Sequence, residues 1–302
     1  MEQTGFNEWL SQASAEAEAV LETYLPDPAS EPKTARLAES MRYACLSGGK
    51  RLRPVFLLET CRYFGGDAKA AGPFAAAIEM IHSFSLVHDD LPSMDNDTLR
   101  RGRPTTWAVY GDGFATVSGD ALSLYAFETA AKAAALGVPV KRVLRAIAEL
   151  AAEAGLSGMC GGQALDMILT GRKPSEEDLR FLYRAKTGAL LRASMAIGAI
   201  LAGASEEEVE TVNDIADHVG MAFQILDDYL DAYGDEAVIG KPVGSDEKNG
   251  KTTFATLYGR GAGRLVEEET EEALSLLSKL EEKRGEAAHL SALIRQLAGR
   301  DH

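Results

Sequence analysis

The sequence predicts an all-α fold in a single domain over residues 1–302. Ala, Leu and Glu dominate the chain, and the β-branched alternation that marks strands is nearly absent. Helix stop and start signals recur at helix-length intervals, with no Pro/Gly/Ser-rich linker between two halves. With 302 residues, 46% of them hydrophobic, the chain can bury a large core.

Helices are expected over 4–24, 33–47, 52–64, 69–90, 113–135 and 139–156, then over 159–170, 175–202, 205–233, 252–259, 263–280 and 285–299. Pro26-Asp27-Pro28 closes the first, and Ser47-Gly48-Gly49 closes the second. Gly65-Gly66-Asp67 and Gly137-Val138-Pro139 mark further turns. Ser175 and Ser205 each precede three acids, so the hydroxyl can cap the helix while the acids suit its positive end. Lys186-Thr187-Gly188 interrupts the 175–202 run with poor helix formers. That predicts either a kink with function or close helix packing at Gly188. The segment 234–252 is the longest irregular connection in the second half, and its lysines Lys241, Lys248 and Lys251 are ordinarily just solvated.

A formal net charge of −15 argues against general nucleic-acid binding, which needs a basic face. It leaves phosphorylated substrates open, because carboxylates hold polyphosphates through bridging cations. Cys45, Cys61 and Cys160 are odd in number and widely spaced, which predicts neither disulfides nor a zinc site and suits a reducing compartment. The polar start Met1-Glu2-Gln3-Thr4-Gly5 predicts no leader. No run reaches the ~18–20 consecutive apolar residues of a membrane span.

Two acidic motifs carry the chemistry. An apolar helix runs into Asp89-Asp90-Leu91-Pro92-Ser93-Met94-Asp95-Asn96-Asp97. Carboxylates crowded at a helix C-terminus repel one another and oppose the helix dipole, and divalent cations would relieve both. An isolated Asp-rich turn is most simply a solvated one. Here it is followed by Arg100-Arg101-Gly102-Arg103-Pro104, and acids beside arginines make sense if both meet one diphosphate, the acids through a metal. The second motif is Asp227-Asp228-Tyr229-Leu230-Asp231. Asp227 and Asp231 share a helix face, where like charges repel unless a cation is shared. The EF-hand and P-loop patterns are both absent. Gly48-Gly49-Lys50-Arg51-Leu52-Arg53-Pro54 puts three cations at a helix start, which is either an anion site or a solvated turn. His82 and His88 lie on the helix before the first motif, where a lone histidine is more often structural.

Together these residues, from about 40 to 260, resemble the trans-prenyltransferases, the farnesyl and geranylgeranyl diphosphate synthases. The resemblance implies a helical bundle of the isoprenoid synthase type, whose two Asp-rich motifs face each other across a central cavity. It implies Mg²⁺ as cofactor, three ions with substrate bound and Mn²⁺ able to substitute, held by Asp89, Asp90, Asp95, Asp227, Asp228 and Asp231. Lys50, Arg53, His82 and Arg101 would hold isopentenyl diphosphate, and Arg100, Lys241 and Lys251 the allylic diphosphate. Gly162-Gln163-Ala164-Leu165-Asp166 would line the cavity. Lys186, Thr187 and Gln224 would surround the reacting carbons. Phe84, one turn before Asp89, would be the floor that stops the chain at fifteen carbons.

The family expectation is thus a cytoplasmic homodimer, not inserted in membranes, that makes farnesyl diphosphate from isopentenyl and allylic diphosphates. Geranylgeranyl diphosphate is the alternative product, and a non-catalytic subunit regulating a related synthase is the alternative of another class. Such subunits lose acidic motifs, and both are intact here. A class I terpene cyclase would replace the second motif with an Asn/Asp, Ser/Thr, Glu triad. A structural metal-binding protein would not explain the basic sites. Thr98 and Tyr229 depart from the family pattern at positions where an acid and an aliphatic residue are common.

Overall fold

The computed structural model describes residues 3–30, 32–234 and 252–299. Lys241, Lys248 and Lys251 therefore lie outside the described residues. The chain is helical almost throughout, in two compact units: residues 2–148 with 200–203, and residues 149–199 with 204–302.

In the first unit the helices are α1 (Gln3–Tyr24), α2 (Ala35–Cys45), α3 (Leu52–Tyr63) and α4 (Ala68–Asp89). After a two-stranded hairpin, β1 (Leu99–Arg100) and β2 (Arg103–Pro104), come α5 (Thr106–Tyr110), α6 (Asp112–Ala131) and a 3₁₀ turn, Lys132–Leu136. Helix α4 forms the centre of this unit because it is apolar nearly all round; α1, α2, α3 and α6 pack on it. Its Phe74, Ile78, Met80 and Ile81 are fully buried. The Asp67 side chain accepts from the Lys69 amide and caps its start.

The hairpin and α5 fill a stretch in which the sequence predicted no element. Arg101 and Gly102, at the tip, have φ of 53° and 74°. Two positive values at the central residues are the pattern of a type I′ turn, whose twist matches paired strands. The Tyr43 hydroxyl donates to the Pro104 carbonyl at 2.7 Å, and the Arg103 guanidinium lies 4.9 Å over the Tyr43 ring.

Helix α7 (Val140–Ala154) leads into the second unit. There α8 (Met159–Leu169), α9 (Glu176–Tyr183), α10 (Ala189–Ala202) and α11 (Glu206–Tyr233) precede the undescribed stretch; α12 (Phe254–Tyr258), a 3₁₀ turn, α13 (Ala262–Arg284) and α14 (Ala288–Ala298) follow it. Helix α11 is the spine, with α9, α12, α13 and α14 packed along it. Ser175 and Ser205 each form a capping box, with Asp178 and Glu208, so both predicted starts hold to within one residue. At the far end of that cap the Arg284 guanidinium grips Glu208 at 2.6 and 2.9 Å.

The expected 175–202 helix is broken by a π-helical turn, Arg184–Gly188. At Lys186-Thr187-Gly188 the structure has both the expected distortion and the close packing at Gly188. The helix is distorted there, and a Cβ on Gly220 of α11 would sit 2.8 Å from the Gly188 Cα, so the two backbones touch. No disulfide links Cys45, Cys61 or Cys160. Among the described residues two stretches, Ala68–Asp89 and Glu176–Ala202, are long and apolar enough to cross a membrane by length and composition; 78% of the most apolar window of each is buried in the protein.

Candidate active site

In the first unit, basic side chains gather around the turn before α3. Gly48 and Gly49 have φ of 87° and 132°, which glycine adopts without strain. Glycine is also required for space, since a Cβ on Gly49 would lie 2.5 Å from Arg101 Nη1. That same Arg101 group donates to the Gly48 carbonyl, so the hairpin tip is laid onto the double glycine. Arg53, in the first turn of α3, has a buried Nε with no hydrogen-bond partner. Burial holds its pKa down, and Arg101 pushes the same way. His82 on α4 is held well below its usual 6.5 by burial and then by Arg53 and Arg101, so it is neutral at pH 7. A guanidinium whose buried Nε has no partner, beside a second guanidinium and a neutral imidazole, is a site prepared for an anion.

The first acidic motif sits where α4 ends. Asp89 is its last residue and Asp90 its C-cap, and the Asp95 amide donates to the Asp89 carbonyl at 2.9 Å. Asp90 is 3% exposed. Arg100 grips its Oδ1 through Nε at 2.7 Å and Nη2 at 2.6 Å. Burial raises the Asp90 pKa, with Asp97 and Asp95 adding to the rise and Arg100 opposing it. The Asp97 carbonyl accepts from Trp107 Nε1 at 2.7 Å and from Thr105 Oγ1 at 2.8 Å, which fixes the base of the hairpin. Among the described residues no three acids, histidines or cysteines already converge as a cage. The donor chemistry nonetheless fits Mg²⁺, because a buried carboxylate among like charges gains from a hard cation. About one turn before Asp89 on α4, Phe84 is half-buried with its ring edge-on to His88, centroids 5.7 Å apart. His88 Nε2 lies 3.1 Å from the Thr116 carbonyl, in a notch that only Gly119 on α6 leaves open.

In the second unit the π turn and the second motif form one network. Thr187 Oγ1 donates to Gln224 Oε1 at 2.7 Å, and Gln224 Nε2 donates to Asp228 Oδ1 at 3.2 Å. The Tyr183 hydroxyl donates to Asp228 Oδ2. Lys186 Nζ reaches Asp166 Oδ2 at 2.5 Å, and Gly162 on α8 packs directly on the Lys186 backbone amide. Asp228 and Asp231 are buried, and Asp227 is half-buried.

Lys186, Thr187, Gln224 and Asp228 thus meet within one unit, and so do Arg53, His82, Arg100, Arg101, Asp89 and Asp90 within the other. Sequence reasoning missed Tyr183, which lies 45 residues from its partner and has no periodic signal. It also grouped Arg51 with the anion-facing cations, whereas its side chain is buried and engaged by Glu18, Glu79 and the Cys45 carbonyl.

The polyprenyl synthetase family profile matches residues 34–296. The chain belongs to the polyprenyl synthetase family. A farnesyl diphosphate synthase of Geobacillus stearothermophilus is 43% identical over 257 residues, covering 85% of this chain and 86% of that one. A geranylgeranyl diphosphate synthase of Cyanophora paradoxa is 43% identical over 242 residues, 78% of this chain and 80% of that one. Among solved structures, an apo FPP/GFPP synthase from Zymomonas mobilis superposes with a TM-score of 0.84 at 33% identity, covering 98% and 99% of the two chains. As a polyprenyl synthetase the protein is a prenyl-transferring enzyme with the all-α fold of its solved neighbours.

Proposed function

We propose that this protein joins isopentenyl diphosphate to dimethylallyl and geranyl diphosphates and releases farnesyl diphosphate. The whole chain would act as one domain, in a cytoplasmic homodimer. The observation that carries the reading is the pairing, at the end of α4, of a prepared anion pocket with the buried Asp90–Arg100 pair.

In this reading Lys50, Arg53, His82 and Arg101 bind the isopentenyl diphosphate and hold its double bond toward the allylic carbon. Arg100, Lys241 and Lys251 bind the allylic diphosphate. The allylic carbon–oxygen bond breaks, and the bonding pair leaves with the diphosphate. Three Mg²⁺ ions, for which Mn²⁺ can substitute, would be held by Asp89, Asp90, Asp95, Asp227, Asp228 and Asp231, and they supply charge stabilisation for the leaving group. The Thr187–Gln224 pair and the backbone carbonyls of the π turn direct their negative ends at the allylic cation. The isopentenyl π electrons form the new carbon–carbon bond, and the departing diphosphate takes the proton lost. Dry apolar walls keep water from the cation.

Phe84 closes the apolar path and limits the product to fifteen carbons. Purified protein with Mg²⁺, labelled isopentenyl diphosphate and each allylic starter in turn should give a fifteen-carbon alcohol after dephosphorylation, and Phe84→Ala should give a longer one. A twenty-carbon product from the unmodified protein would keep the chemistry and remove the farnesyl assignment. An unchanged product from Phe84→Ala would sink the floor.

A further inference from the structure

Arg51 differs in kind from the cations beside it. It is the residue that precedes α3, in the left-handed region at φ 51°, an unusual conformation for a side chain of its size. Its guanidinium is buried and divided among three helices. Nε donates to Glu18 on α1, Nη1 donates to Glu79 on α4 at 2.6 Å, and Nη2 donates to the Cys45 carbonyl ending α2 at 2.7 Å. The Arg51 and Glu79 side chains are 2% and 4% exposed. Glu79 stands one helical turn before His82, and it is the principal negative charge felt by both Arg53 and Arg101. A buried carboxylate does not stay unpaired, so without Arg51 it would turn to those two guanidiniums.

We propose that Arg51 is a positioning residue of the isopentenyl diphosphate site, which holds Glu79 and fixes the left-handed turn so that Arg53 and Arg101 stay available to an anion. The inference rests on the assignment of Lys50, Arg53, His82 and Arg101 to that diphosphate. Glu79 is then an internal competitor of the substrate, and Arg51 is what silences it. The geometry also accounts for the choice of Arg over Lys, since three separate nitrogens of one planar guanidinium meet the three acceptors, a spread that the single nitrogen of an ammonium does not have.

The test is full kinetics with both substrates varied, together with calorimetric binding of inorganic diphosphate in the presence of chelator. Arg51→Met should raise the isopentenyl diphosphate KM about tenfold or more and weaken diphosphate binding in parallel, because a buried charge has lost its partner. The allylic KM should stay within about twofold, since the two sites are separable. Adding Glu79→Gln should bring the isopentenyl KM back to within about threefold, the coupling a double-mutant cycle measures. Glu79→Gln alone, which keeps an acceptor for Arg51, should not raise that KM. Should Arg51→Met fail to fold, Arg51→Lys gives the same readout, with a rise confined to the isopentenyl side. An unchanged isopentenyl KM overturns the proposal, and so does a double variant no better than the single, or a parallel rise of both KM values. Arg53→Met separates the two layers: if it leaves the isopentenyl KM unchanged, the site assignment itself is wrong, whatever Arg51 does.

Discussion

At the end of α4, Asp90 is held by a guanidinium; inside α11, Asp228 is held by a phenol and an amide. The two motifs are spelled alike, yet one carboxylate is gripped by an arginine fork and the other accepts from a phenol and a side-chain amide. The difference follows from position. Asp90 caps a helix beside a hairpin, so an arginine on that hairpin can reach it, whereas Asp228 lies inside α11, one turn on from Gln224 and against Tyr183 at the end of α9. An ion pair must open before a cation or diphosphate takes its members. Neutral donors can remain in place and keep the carboxylate aimed. The first motif is therefore the adaptable one and the second the preset one.

The largest expected effect separates the motifs directly. Asp90→Asn should lower kcat by about 10²–10³, the scale of losing one preorganised electrostatic group. Asp228→Asn, whose two oxygens already serve the protein, should cost about 10–100-fold, as supporting groups of metal sites do. Equal losses in steady-state assays would erase the distinction. Next, Arg100→Lys should raise the allylic KM about tenfold, since an ammonium cannot reproduce the fork on Asp90 or on a diphosphate. Raising the salt concentration should shrink the gap between that variant and the parent. Tyr183→Phe keeps the ring contact with Phe254, 5.3 Å between centroids, and removes only the hydroxyl. It should cost about 2 kcal/mol in urea unfolding, the worth of a hydrogen bond to a charged group. It should leave the isopentenyl KM alone.

The smallest effect lies at the opposite end of α11. Arg284 and the Ser205 cap hold Glu208 down, from 4.5 to about 2. A depressed carboxylate contributes stability that is complete above its ordinary pKa and fades as pH falls through the folded value. Thermal melts between pH 4.5 and about 2 should show that loss, and Arg284→Met should flatten it, without touching activity at pH 7.

Most of the fold was legible because its signals are local. A serine followed by acids marks a helix start wherever it occurs, and at Ser175 and Ser205 nothing distant overrides it. The 184–188 distortion was legible for the same reason. The hairpin was not, because Arg101-Gly102 reads as part of a cationic run, and its turn is imposed by Tyr43 and Trp107 from either side. Arg51 was misgrouped because its partners lie 33 and 28 residues away, and charge in a glycine-rich turn ordinarily means solvent. In both places the sequence shows which charges are present, and only the fold decides which of them are already spent.

The π turn at 184–188 has one more implication, which concerns length rather than composition. A π turn stores one residue more than the helix around it needs. Deleting any residue between Arg184 and Gly188 would let the run heal into regular α-helix, which no stability screen would penalise heavily. The helices on either side would keep their register, because the residue removed is the surplus one, and only the residues of the turn itself would be re-aimed. Lys186 would leave Asp166, and Thr187 would leave Gln224, with every side chain still present. At this one place the register of the chain carries information that no substitution scan would detect, and a single-codon deletion would read it out.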